Sequence, residues 1–242
     1  MPTGDQVTIW LCSARAMYVG PALQLAPHRN VAATVAIGLE APFHLRLGGQ
    51  PRRTHRIALI PSGTRHHLQG QGAMAFLYLD PLNDGLDALT PGRLERARRS
   101  TPARTITAWS DALGLARRLV DPRLEAVVRQ VDARPQDFTR AQQAADLMGV
   151  STERFRHVFR QALGVPFRRY RLWRRMARVL VVLARGESLT HAAVEAGFAS
   201  SAHLSSTFKA MFGLPPSALL SMGVRLRLDD GDFGVSNQRV LR

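Results

Sequence analysis

Apolar residues fall into two rhythms along the chain. From Val7 to Leu79 they come in short runs, VTIWL, VAATVAIGL, FHLRL, HRIALI and MAFLYL, divided by Gly, Pro and polar residues. Runs of that length, bounded by turn formers and rich in β-branched and aromatic residues, predict strands, and their regular spacing predicts a small barrel or sandwich. After Asp80-Pro81 the spacing becomes helical over Leu86 to Arg99 and again over Trp109 to Leu119. Asp121-Pro122 opens a further helix with Leu124, Val127, Val128 and Val131 on one face, and Pro135 closes it. Gly223 to Arg242, with Asp229, Asp230, Gly231, Asp232 and Gly234, has no sustained periodicity. The pattern divides the chain into a β-domain over 1–80, a helical connector and dimerisation region over 81–120, a helical domain over 121–222 and a flexible tail over 223–242.

The helical domain contains a repeat with an offset of about 49 residues. Ala145, Gly149, Ser151, Phe155, Phe159 and Gly164 answer to Ala193, Gly197, Ser200, Leu204, Phe208 and Gly213. The small alanines let one helix approach the next, and the glycines supply the left-handed turn between them. Ser151 and Ser200 are N-cap residues, and the large apolar residues four apart anchor the second helix of each pair. Thr139 with Gln142 fits a capping box opening the first pair. This is the helix-turn-helix pattern, present twice. Between the copies, Pro166 starts a helix running to about Arg185 that carries Arg168, Arg169, Arg171, Arg174, Arg175 and Arg178. At 1.5 Å per residue such a helix is about 27 Å long, suited to holding two reading helices roughly one DNA turn apart.

Charge points the same way. The 242 residues carry a net charge of +15, nearly all from arginine, with Lys209 the one lysine. That balance favours a polyanionic partner, nucleic acid before acidic membrane. Cys12 is the sole cysteine, which excludes an intramolecular disulfide, a thiolate metal site and a CxxC redox pair. The longest aliphatic run, Val179 to Ala184, is far short of the roughly 20 residues of a membrane span, and MPTGDQVTIWLC lacks the features of a secretory signal. A cytoplasmic, nucleoid-associated location is expected.

GVSTERFRHVFRQALGVPFRRY and AGFASSAHLSSTFKAMFGLPPSALL resemble the two halves of the AraC/XylS transcription-regulator domain. The resemblance covers about 100 residues, from Asp121 to Met222. It implies seven helices, the third and sixth entering successive major-groove segments of promoter DNA. Helical spacing puts Phe155, Val158 and Phe159 inward on the first reading helix and Glu153, Arg156, His157 and Arg160 outward. Arg156 can contact guanine in bidentate fashion, Glu153 can accept from cytosine, His157 can donate to a purine, and Arg160 suits phosphate. Arg168 and Arg174 are expected to grip phosphate from the linker helix. The second reading helix presents Ser201, Ala202, Ser205 and Ser206, with Lys209 beyond. Many family members have an arginine in place of Ser206. The first unit is therefore expected to supply most base discrimination and the second mainly to position the protein.

In the β-domain, Pro61-x-Gly63-x-x-His66 resembles the second motif of cupin barrels, and His28 with Asn30 stands where the first motif carries His-x-His. With one histidine of that pair missing and no glutamate at the usual distance, neither a metal nor another cofactor is expected. His28 and His66, with His44 or His55, are candidate effector-pocket residues, since AraC-type regulators usually place a sensing and dimerisation domain here. The expected fold is α+β: a cupin-like β-barrel followed by an all-α domain with two helix-turn-helix units joined by a linker helix. The expected function is sequence-specific, effector-modulated transcription regulation in a bacterium, as activator or repressor. Expected partners are promoter DNA, RNA polymerase, a small molecule and a second copy of the chain, with no membrane. Nothing in the sequence marks an enzyme, and the competing class is a metal-dependent cupin enzyme with a basic helical appendage.

Overall fold

The computed structural model describes residues 7–12, 15–81, 86, 89–101, 105–115 and 121–228, and the backbone of 238–240. Two sheets form the N-terminal half. The longer contains β1 (Thr8–Cys12), β2 (Arg15–Pro21), β4 (Thr34–Gly38), β7 (Ile57–Ile60) and β9 (Ala73–Tyr78). The shorter runs β3 (His28–Arg29), β8 (Arg65–Gln69), β5 (Phe43–Leu47), β6 (Arg53–His55). The predicted runs are all strands in their central parts. β2, β3, β8 and all of β6 but His55 lie outside those runs; RHHLQ in β8 has only Leu68 as an apolar member, so hydrophobic patterning could not reveal it.

The longer sheet is covered on both faces, which is why VAATVAIGL reads as a continuous apolar run rather than an alternation. On one face Met17, Val19, Val35, Ile37, Ala75 and Leu77 pack against Leu94, Ala97, Ile106, Trp109 and Leu113. Those last residues belong to α1 (Pro91–Ser100) and α2 (Ile106–Leu113), so the connector helices cover the sheet. Thr90 and Thr105 cap them through bonds from Arg93 N–H and Ala108 N–H, each 3.3 Å.

Among the described residues seven helices follow: α3 (Pro122–Ala133), α4 (Ala141–Met148), α5 (Thr152–Leu163), α6 (Phe167–Ala184), α7 (Leu189–Glu195), α8 (Ser201–Phe212) and α9 (Pro216–Leu220). The repeat fixes their ends as anticipated. Ser151 accepts from Arg154 N–H at 3.2 Å and Ser200 from His203 N–H at 3.1 Å. Gly149 and Gly197 have φ of 69° and 78°, the left-handed values that an L side chain resists. One detail is corrected: the residue closing the turn before α4 is Gln143, whose Oε1 accepts from Arg140 N–H at 2.8 Å, while Gln142 donates to Asp146 at 2.6 Å.

The two units differ in what they pack against. The first has its own core, where Leu124, Val127, Val131, Phe155, Phe159 and Tyr170 meet. The second does not. Ala193, Leu204, Phe208 and Met211 share one core with Trp173 and Met176 of α6 and with Ile9, Leu11, Tyr18 and Phe76 on the other face of the long sheet. The short sheet covers only part of that face, and the second unit covers the remainder.

The reading of 223–242 as a loose tail is corrected over part of its length. Arg225–Leu228 is a strand, β10, parallel to β1, and Gln238–Val240 forms β11 antiparallel to it. The long sheet therefore runs β11-β10-β1-β2-β9-β4-β7. Val224, Leu226 and Leu228 alternate with arginines and are buried, a period-two signal too short to stand out beside the acidic, glycine-rich stretch after it. Asp229, Asp230, Gly231, Asp232 and Gly234 lie outside the described residues.

Candidate nucleic-acid interface

The first reading helix, α5, turns Phe155 and Phe159 into the core and leaves Glu153, Arg156, His157 and Arg160 exposed. Three of these join residues from neighbouring elements along one open groove of about 760 Å³. Its walls are the start of α4, with Thr139, Arg140 and Gln142, the outer face of α5, with Glu153, Arg156 and Arg160, and the start of α6, with Arg168 and Arg171. Five arginines and one carboxylate line it, so its field is strongly positive. His157 lies one step round the helix, outside the groove lining. Arg140 and Gln142 were not anticipated as groove residues; an arginine at the start of the helix preceding α5 is a signal that could have marked Arg140.

The linker-helix arginines sort differently from the sequence expectation. Arg174 is a correction: its side chain is 2% exposed and its Nε lies 2.8 Å from Asp132 Oδ1. Tyr170 donates to the same carboxylate oxygen at 2.6 Å, so the cluster ties α6 to α3 and cannot reach phosphate. Burial, with Asp132 beside it, pushes the Tyr170 hydroxyl well above its ordinary range. Arg171 donates to Phe138 O, and burial followed by the neighbouring Arg168 charge lowers its pKa. Arg175 donates to Ala196 O at 2.7 Å and lies over the Phe198 ring at 3.9 Å. Arg178 pairs with Glu195 of α7. α6 is thus stapled to both units by its arginines, and Arg168 is the exposed one at its start.

The second reading helix, α8, exposes Ala202, Ser206 and Lys209, with Ser201 and Ser205 half-buried. Ser206 donates its hydroxyl to His203 O at 3.0 Å and Thr207 does so at 2.8 Å, so both hydroxyl protons are already engaged by the helix itself. His203, not anticipated, is exposed, with its ring against Phe198 at 5.5 Å.

The histidines of the β-domain do not converge in one pocket. His28 and His66 are register partners on β3 and β8, both buried, with ring centroids 4.2 Å apart. Each donates its Nδ1–H to a carbonyl, His28 to Ala26 O at 2.8 Å and His66 to Thr64 O at 3.0 Å. Burial first, then the His66 neighbour, lowers the His28 pKa to about 4. His44 is exposed and bonded to Thr54 at 3.0 Å, and His55 packs on Phe43. Among the described residues no three His, Cys, Asp or Glu side chains are grouped to hold a metal ion. A cavity of about 60 Å³ lies elsewhere, between the long sheet and the second unit, walled by Leu11, Tyr18, Tyr78, Trp173, Phe208 and Phe212.

Residues 144–222 match the family described as a helix-turn-helix domain. The matched stretch is about a third of the chain and takes in both helix-turn-helix units, from α4 to just beyond α9. An apo variant of ToxT from Vibrio cholerae strain SCE256 shares the fold across the β-domain and the helical domain together: TM-score 0.54, 13% identity, 86% of this chain and 97% of that one. Wild-type ToxT bound to an unsaturated fatty acid gives TM-score 0.52 and 12% identity over 92% of this chain and 98% of that one. A Chromobacterium violaceum transcriptional regulator with an AraC-type DNA-binding domain is 28% identical over 40% of this chain and 88% of that one, at TM-score 0.37. A search of curated proteins finds no match. No helix among the described residues is long and apolar enough to cross a membrane.

Proposed function

We propose that the chain regulates transcription by reading promoter DNA mainly through α5, with α8 fitting the adjacent major-groove segment and contributing less to base choice. The observation that carries this reading is the contrast between the two faces. The first offers Arg156, Glu153 and Arg160 in an arginine-lined groove; the second offers Ala202, Ser206, Lys209 and His203, the last with its ring against Phe198. An arginine reaches a guanine edge with two donors, whereas alanine meets at most a thymine methyl. Ser201 and Ser205, half-buried, act on close approach. Arg168 and Arg140 flank the groove as phosphate contacts. On DNA in the bacterial cytoplasm the protein recruits or blocks RNA polymerase, as a monomer or as a homodimer.

The reading extends to an effector. The cavity between sheet and second unit is walled by rings and aliphatic chains but holds only about 60 Å³, so an acyl chain, such as the unsaturated fatty acid bound to ToxT, enters by moving the second unit off the sheet. His28 and His66 lie beside this junction, where Ala26 N–H donates to Gly213 O at 3.0 Å, and they serve the effector response through that contact. The rival, a metal-dependent cupin enzyme, has no supporting ligand group among the described residues.

Footprinting of genomic fragments bound by the full chain tests the DNA reading: a protected site with sequence preference supports it, and sequence-independent binding with the same salt slope everywhere overturns it. Thermal unfolding of the full chain with monomeric oleate tests the effector. A rise in midpoint that Phe212→Asp removes supports the cavity, and an unchanged midpoint up to saturation counts against an acyl effector.

A further inference from the structure

We infer that the C-terminal strand β10 is a positioning element for the second reading unit: Val224 to Leu228 strap that unit to the N-terminal strand and so set where α8 stands. The inference rests on the DNA-binding reading above and goes beyond it.

The strap is made by backbone and side chains together. Thr8, Ile9, Trp10 and Leu11 pair in register with Arg225, Leu226, Arg227 and Leu228, and Arg225 N–H donates to Val7 O at 2.9 Å. Val224, Leu226 and Leu228 are buried in the same core as Phe208 and Met211 of α8. Arg227 lies over the Trp10 ring at 4.6 Å on the other side of the strand. Only a short turn separates α9 from the strand, with Gly223 at φ 67°, so a displacement of α9 is passed to β10 directly.

A second tie acts at the other end of the same unit. Gly213, which ends α8, bonds through its carbonyl to Ala26 N–H, and a Cβ there would stand 2.7 Å from both Ala26 O and His28 Nδ1. The second unit is thus held to the β-domain at the end of α8 and again beyond α9. The first unit carries its own core and is joined to the second through α6. Releasing β10 should therefore loosen α8 and α9 while leaving α4 and α5 as they are.

Two full-length variants test this: Arg225→Pro, which removes the donor to Val7 O while keeping the buried leucines, and Leu226→Asp with Leu228→Asp, which removes the packing. Amide exchange on the free protein is read first, because it does not depend on any DNA result. The expected result is exchange faster by about tenfold or more across α8 and α9 in the double variant, a smaller effect in Arg225→Pro, and unchanged protection in α4 and α5. Unchanged exchange in α8 and α9 overturns the inference, as does an equal loss in all four helices.

The second readout uses a site footprinted with the parent protein. Inserting one base pair between its halves moves the second by about 3.4 Å along and about 34° around the axis. The parent should lose about tenfold in affinity and the released variants no more than about threefold, with base preference under α5 retained. An equal spacing penalty in parent and variants overturns the positioning role. Failure of the parent to bind DNA at all would refute the DNA reading, and the exchange result would still decide whether β10 holds the second unit.

Discussion

Single arginines in this protein have opposite fates according to what faces them. Arg156 stands exposed on α5, Arg168 stands exposed at the start of α6, and Arg174 is enclosed against Asp132. Arg156→Ala should cost about 1 to 3 kcal/mol on the preferred site and relax one base position, as competition binding against a panel of single-base variants would show. Arg168→Ala should weaken all sequences alike and lower the salt slope by about 1, read from titrations at several salt concentrations. Arg174→Ala should instead cost about 3 kcal/mol of stability in denaturant unfolding, by leaving Asp132 without its cation. A uniform loss of DNA affinity at unchanged stability would contradict that last assignment.

His28 brings pH into the residue scale. Its folded pKa is about 4, held down by burial and by His66, against an ordinary value near 6.5. Between those values the unfolded chain takes up a proton that the folded chain refuses. Stability is then complete above about pH 6.5, falls as pH drops, and reaches a loss of about 3 kcal/mol near pH 4. His66, lowered by burial in the same way, adds to the slope. His28→Asn, whose side-chain amide can donate to Ala26 O from the place of Nδ1, should flatten the pH dependence of the melting temperature; an unchanged curve would show that His28 does not set it. None of this was legible from the chain alone. A histidine or arginine on a predicted element announces its type, but its partner comes from residues tens of positions away, as Asp132 does for Arg174.

Elements whose signals are local were legible. Ser151 and Ser200 at helix starts, Gly149 and Gly197 in the turns, and Pro166 before α6 mark their own positions because capping and backbone conformation depend on near neighbours. Strands that depend on a distant partner were not. β8 is polar because one of its faces is exposed, and β10 acquires its meaning only from β1 at the opposite end of the chain. The linker helix shows both sides of this. Its span was readable, but of the two arginines expected to grip phosphate only Arg168 is exposed, and Arg171, Arg174, Arg175 and Arg178 are staples to Phe138, Asp132, Ala196 and Glu195.

At the scale of the molecule, the net charge of +15 favours a polyanionic partner, and the fold decides which of the basic side chains stand free to meet one. The two-unit repeat looks symmetric along the sequence. In the folded chain the first unit carries its own core and the arginine groove, whereas the second completes the core of the β-domain and exposes no arginine on α8. Single-base substitution across both halves of a footprinted site, at one fixed salt concentration, tests this asymmetry most directly. The larger affinity losses, about 1 to 3 kcal/mol each, should fall in the half under α5, with shallow losses under α8. Equal losses in both halves, or larger ones under α8, would contradict the account.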